Sequence, residues 1–222
     1  MKRRSLDLLF SVGGVGLAVL LLVLGLVLTS NASFARTYVA GQMAEQRIAF
    51  KPAEKLTAEE RESECLVANA GKALTTGKQA ECYANDFIGL HVKSTANANG
   101  LTYAELGDVQ TGIRTRLAAA QTAGDPTVGA DLQKQLTDTN TARESLFKGE
   151  TLRGLLLTSY GFSVFGEKAA QFATIAYLAA GLLLLLSIAG FMHAFKTPEN
   201  ELFAAPATGA PAPGAARRPV KV

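Results

Sequence analysis

Two apolar runs bracket a polar middle. Leu8 to Thr29 and Ala169 to Met192 run for 22 and 24 residues without an Asp, Glu, Lys, Arg or His. As helices rising about 1.5 Å per residue they reach about 33 and about 36 Å, enough to cross a hydrocarbon core of about 30 Å. In hydrocarbon every backbone N–H and C=O must be satisfied within the protein, so a lone spanning segment has to be helical. The pattern therefore predicts transmembrane helices at 8–29 and 169–192. They flank a domain at 30–168 and leave short ends at 1–7 and 193–222.

The middle predicts helices throughout: it is rich in Ala, Glu, Gln, Leu, Lys and Arg and lacks alternating β-branched runs. Arg36 to Phe50 should continue the first span as a helix until Pro52 interrupts it. Thr57-Ala-Glu-Glu60 has the form of a capping box, predicting a helix from there to about Leu74. Thr75-Thr76-Gly77 should turn the chain into a second helix at about Lys78–Lys93, with Tyr83, Phe87 and Leu90 on one face. Ser94 to Gly100 should be a loop. Thr102-Tyr-Ala-Glu105 opens a third helix, striped by Leu106, Val109, Ile113, Leu117 and Ala120. Gly124-Asp125-Pro126 stops that helix and starts another, striped by Val128, Leu132, Leu136, Thr139, Ala142 and Leu146. Two striped helices joined by a tight turn should pack as an antiparallel hairpin. The fold class expected is all-α, with two transmembrane helices flanking an extracytoplasmic helical hairpin or bundle.

Leu152 to Phe165 breaks the stripe pattern. Leu155, Leu156, Tyr160, Phe162 and Phe165 crowd together, with Gly154, Gly161 and Gly166 interrupting them. Just before a span, such a segment should lie at the membrane surface, where aromatic rings sit among headgroups. It either covers the base of the helical domain or offers a partner a docking surface. From Thr197 onward the chain is rich in Pro, Ala and Gly and is expected to be disordered.

Charge sets the orientation. Lys2, Arg3 and Arg4 precede the first span; His193, Lys196, Arg217, Arg218 and Lys221 follow the second. Between them stand 15 Lys and Arg against 16 Asp and Glu. Basic ends and a balanced middle place both termini in the cytoplasm of a plasma-membrane protein. The net charge of +3 thus belongs to topology, and no basic face points to nucleic acid. Ser33-Phe34-Ala35 would suit a signal peptidase, but the apolar run exceeds the usual 7–15 residues, favouring an uncleaved anchor.

Cys65 and Cys82 are the two cysteines, both in the middle segment. On the oxidising side of a membrane they read as one disulfide; the alternative is two buried thiols. The predicted turn falls midway between them, so two helices folding back there would bring them together. The pair cannot close a zinc site alone, which needs four ligands. The spans carry no ionic group that a transporter would need. Gly14 with Ala18 and Ala176 with Ala180 have spacing that lets helices approach closely. No Gly-x-Ser-x-Gly, His-Glu-x-x-His or phosphate-loop pattern occurs. His91 reads as a surface histidine, and Glu59, Glu60, Glu62 and Glu64 as a solvated helix face. No cofactor or metal is expected.

Ser5–Ser11, Thr76–His91 and Phe147–Phe162 resemble segments of an uncharacterised family of actinobacterial two-pass membrane proteins. The resemblance covers most of the chain except the tail and implies no particular activity. Such proteins sometimes carry the name aromatic-ring-opening dioxygenase. Non-haem iron oxygenases of that kind need two histidines and a carboxylate on one iron. Here His91 and His193 are expected on opposite sides of the membrane. The function expected is non-catalytic: an accessory or scaffolding component of the cell envelope, bound to lipid and to a membrane-protein partner or a second copy. The alternatives are an extracytoplasmic ligand-sensing module acting through a partner and, third, an outer-face enzyme.

Overall fold

The structure, a computed structural model, describes residues 2–95 and 98–198. The tail expected to be disordered lies outside the described residues from 199 onward. The chain is all-helical, with no strand among the described residues. Its α-helices are α1 (Arg3–Gln46), α2 (Glu64–Asn69), α3 (Gly77–Cys82), α4 (Gly89–Lys93), α5 (Tyr103–Ala123) and α6 (Pro126–Lys196). A π-helical segment, Tyr83–Ile88, joins α3 to α4. α1 and α6 are both long and apolar enough to cross a membrane. By contacts the chain divides into two units: Met1–Leu26 with Ala173–Val222, and Val27–Phe172.

In the first unit, α1 and α6 meet through small residues. Ala18, Ala176, Ala180 and Ala194 are buried, as are Ser11 and Ser187. Ser187 packs onto Gly14, Ser11 onto Gly190, and the Tyr177 ring onto Gly25. The partner numbers fall on one helix as they rise on the other, so the two are antiparallel. Without a side chain at these glycines the backbones approach closely. Leu20, Leu178 and Leu185 point outward, each more than 60% exposed. At the span ends Asp7 Oδ2 and His193 Nδ1 lie 2.9 Å apart.

The second unit packs an irregular stretch onto parts of α1 and α6. Its core gathers Val39 and Met43 of α1, Phe50, Leu66, Leu74, Ala80, Ala84, Ile88 and Leu156 of α6. Several expectations are corrected here. α1 ends at Gln46, with Arg47 at φ 51°, rather than at Phe50. No single helix fills 57–74. Two 3-10 turns, Ala53–Lys55 and Glu60–Glu62, precede the short α2, and the chain then extends. Ser63 caps α2 by accepting from Leu66 N at 3.2 Å. Gly71, at φ 72°, releases the chain to lie beside residues 48–51. There Phe50 N donates to Lys72 O (2.9 Å), Gly71 N to Lys51 O (3.0 Å) and Leu74 N to Ile48 O (2.9 Å). Leu152–Phe165 is helical within α6, and its glycines do not break the helix.

The hairpin signals act locally. Thr102 and Glu105 cap α5 reciprocally, and Gly124 closes it in the left-handed conformation. Asp125 Oδ1 accepts from Thr127 N (3.1 Å) and Val128 N (3.0 Å), opening α6 at Pro126. Leu106, Ile113 and Ala120 of α5 are buried, as are Leu132, Thr139, Ala142 and Leu146 of α6. Val109 and Val128, expected in the stripes, are exposed, and Gln110 is buried instead. Gln110 is satisfied by Asn140 and by Arg143, whose Nη1 donates to its Oε1 at 2.7 Å.

The packing of α1 on α6 is testable. A Cβ at Gly25 would stand 2.5 Å from the Tyr177 ring, whereas one at Gly16 would meet nothing within 4 Å. Gly25→Leu is expected to lower resistance to denaturing detergent by about 1–3 kcal/mol, with Gly16→Leu near neutral, measured by helicity in mixed micelles.

Candidate functional site

Two polar features of the second unit bear on function, and sequence reading missed the first. Glu60 is buried, with 2% of its side chain exposed, so the expectation of a solvated face fails for this residue. The Thr57 capping box supplies part of the reason. Thr57 N donates to Glu60 Oε2 at 2.9 Å, and Glu60 N donates to Thr57 Oγ1 at 3.1 Å. The other oxygen accepts from Lys51 Nζ at 2.7 Å. Burial raises the pKa of this carboxyl, but the Lys51 hydrogen bond, the Thr57 amide and the charges of Lys51 and His91 outweigh it. The net effect holds Glu60 below the ordinary carboxylate range.

An aromatic ladder backs the carboxylate. Phe50 meets Tyr83 edge-on at 5.3 Å, Tyr83 lies 4.6 Å from Phe87, and Phe87 lies 4.4 Å from His91. Lys51 Nζ stands 5.0 Å over the Phe87 ring. Burial and the nearby Glu60 charge raise the Tyr83 phenol. His91 Nδ1 lies 2.7 Å from Phe87 O, and a carbonyl only accepts, so Nδ1 carries the proton. Nε2 then faces Glu60 Oε1 at 3.8 Å. Both carboxylate oxygens are occupied, so the arrangement anchors the 51–60 loop to the helical segment 77–93.

The second feature surrounds the cysteines. Cys65 and Cys82 form a disulfide with Cα atoms 6.0 Å apart. Asp86, on the π-helical segment, accepts from Ser63 Oγ at 2.6 Å and lies 3.0 Å from Cys65 Sγ. The second distance is a contact, because a disulfide sulfur has no proton to donate. Both sulfurs and the Asp86 carboxylate lie within 4.8 Å of one another. As thiolates they could hold a thiophilic cation; joined to each other they cannot. An open cleft of about 610 Å³ covers them, lined also by Asn69, Gln79, Glu81 and Asn85.

The residues predicted as an interaction surface separate onto different faces of α6. Leu156 is core, 2% exposed. Tyr160 turns toward α3, its hydroxyl 3.4 Å from Lys78 Nζ. Leu155 and Phe162 stay exposed, at 63% and 52%, and with Leu156 line a groove of about 320 Å³ opposite Tyr38, Met43 and Gln46 of α1. Phe165 is 75% exposed but lies outside that groove. Comparison with known protein families, curated proteins and solved structures gives no match for this chain.

Glu60→Gln should destabilise the protein by about 1–2 kcal/mol at pH 7, less than for a fully buried pair because Lys51 is one-third exposed. The sign with pH follows from a folded-state pKa below the unfolded one. The contribution is complete above the ordinary carboxylate pKa and fades as pH falls through the lowered value. Urea unfolding from pH 7 to pH 3 should therefore show wild type and variant converging at the acid end.

Proposed function

We propose that this chain is a non-catalytic integral membrane protein, an accessory or scaffolding component of the cell envelope. Both termini are cytoplasmic and residues 30–168 lie outside. The observation that carries this reading is the apolar groove between α1 and α6, where Leu155, Phe162 and Tyr38 leave more than half of their surface uncovered. Large apolar and aromatic side chains that line a concave surface are the usual anchors of a protein interface. The disulfide supports the outer location, because such bonds persist in oxidising compartments. A partner helix bearing one or two large apolar side chains would fill the groove.

A ligand-sensing role is the second reading, favoured by the polar cleft beside the disulfide. A small polar ligand there would raise the unfolding temperature in proportion to the logarithm of its concentration.

Two measurements test the first reading. A photo-reactive residue replacing Leu155 or Phe162 in living cells should cross-link one stoichiometric membrane protein, and Phe162→Ala should cut its recovery at least about ten-fold. Recovery of the chain alone would count against a partner at this groove. For topology, a cysteine replacing Lys134 should react with an impermeant maleimide on intact cells and one replacing Thr197 should not; the reverse pattern would invert the orientation.

A further inference from the structure

We propose that two copies of this chain pair through the α5–α6 hairpin, closing a four-helix bundle in which Arg116 of each copy faces Asp131 of the other. The hairpin already buries one seam, Leu106, Ile113 and Ala120 against Leu132 and Ala142. Beside that seam runs a second, open groove of about 830 Å³. Arg116, Ala119 and Ala123 line it on α5; Val128, Asp131 and Gln135 line it on α6, and at the turn end stands Asp125, whose carboxylate is engaged in capping α6. Both sets fall at i, i+3 and i+7, the spacing of a helix face that meets another helix. Two of the α5 positions are alanines, which let a neighbouring backbone approach, and Val128 is 46% exposed.

Charge identifies the occupant. One edge of the groove carries Arg116, which has no hydrogen-bonded or ion-paired partner among the described residues. The other carries Asp131, whose Oδ2 accepts from Gln135 Nε2 at 2.8 Å. Counted from the Gly124 turn, Arg116 lies eight residues before and Asp131 seven after. At about 1.5 Å per residue, these are about 12 and about 10.5 Å from the turn, nearly level. A two-fold axis along the hairpin gives both copies the same polarity and brings together residues of equal height. Each Arg116 is then level with the partner's Asp131, and the pair forms twice. A face with opposite charges at equal heights on its two edges is complementary to itself. The apolar strip between the charges would be covered in the same step, as in other antiparallel bundles.

Pairing between chains that share one membrane rests on the membrane reading above, and the test separates the two. Full-length chains labelled at the N-terminus with donor or acceptor dyes are reconstituted into phosphatidylcholine vesicles, and energy transfer is followed against protein-to-lipid ratio. Wild type should show saturable transfer of a dimer. Arg116→Asp and Asp131→Arg should each raise the apparent dissociation constant at least about five-fold by placing like charges opposite each other. The combined swap should return it to within about two-fold of wild type. Ala119→Arg, which fills the groove from an exposed position, should also block pairing. Circular dichroism should show unchanged helicity in all variants. A chain that enters the vesicles as a monomer overturns the dimer and leaves the membrane reading standing. So does a dimer indifferent to the single reversals, or one that the double swap fails to restore. Failure to enter vesicles would overturn both.

Discussion

The irregular stretch from Arg47 to Thr76 depends on burial of Leu66 and Leu74. Each is 1% exposed, packed with Val39, Met43, Phe50 and Leu156. Full burial of such a side chain is worth about 2 kcal/mol. Without it, two 3-10 turns and a six-residue helix would have no reason to persist. The backbone bonds between 48–51 and 71–74 hold only while those leucines stay seated. Glu60 is buried within this stretch, which is why it needs Lys51 and the Thr57 amide.

Much of the helical plan was legible because its signals act over three or four residues. Thr102 with Glu105, and Gly124 with Asp125 and Pro126, bond within their own turn, so their meaning does not depend on distant chain. The two long apolar helices read equally well, since each contains an uncharged run of 22 or 24 residues. The middle of the chain was harder. Thr57 and Glu60 form the expected box, but the helix behind it fails where Ser63 offers a second cap and Gly71 admits a left-handed bend. The extended segment that follows pairs with residues 20 to 26 positions earlier, which no local pattern announces.

The candidate site was legible in parts. The disulfide followed from cysteine count and a nearby turn. Glu60 did not follow, because Lys51 and His91, which meet its carboxylate, come from separate segments. Asp86 did not follow either, because its partner Ser63 stands 23 residues earlier in the chain. Gln110 looks like a solvent position, yet Asn140 and Arg143 satisfy it within the seam and displace Val109 outward. On α6, Leu155 and Phe162 are seven residues apart and line one groove with the buried Leu156, while Tyr160 turns toward α3 and Phe165 falls outside the groove. Crowding in sequence is not adjacency in space once the segment is helical. Its glycines cost only about 1 kcal/mol each, and Gly166 lets Ala32 and Ala35 pack against α6.

Asp86 gives the disulfide a property that its own geometry would not. The cleft leaves the sulfurs open to small molecules, but a carboxylate 3.0 Å from Cys65 Sγ confronts any thiolate that approaches. It also disfavours the thiolate that Cys65 would have to become on leaving. Anionic reductants such as glutathione are therefore repelled at the point of attack, whereas a neutral or cationic reductant meets less resistance. The cross-link is shielded by charge where it is not shielded by bulk.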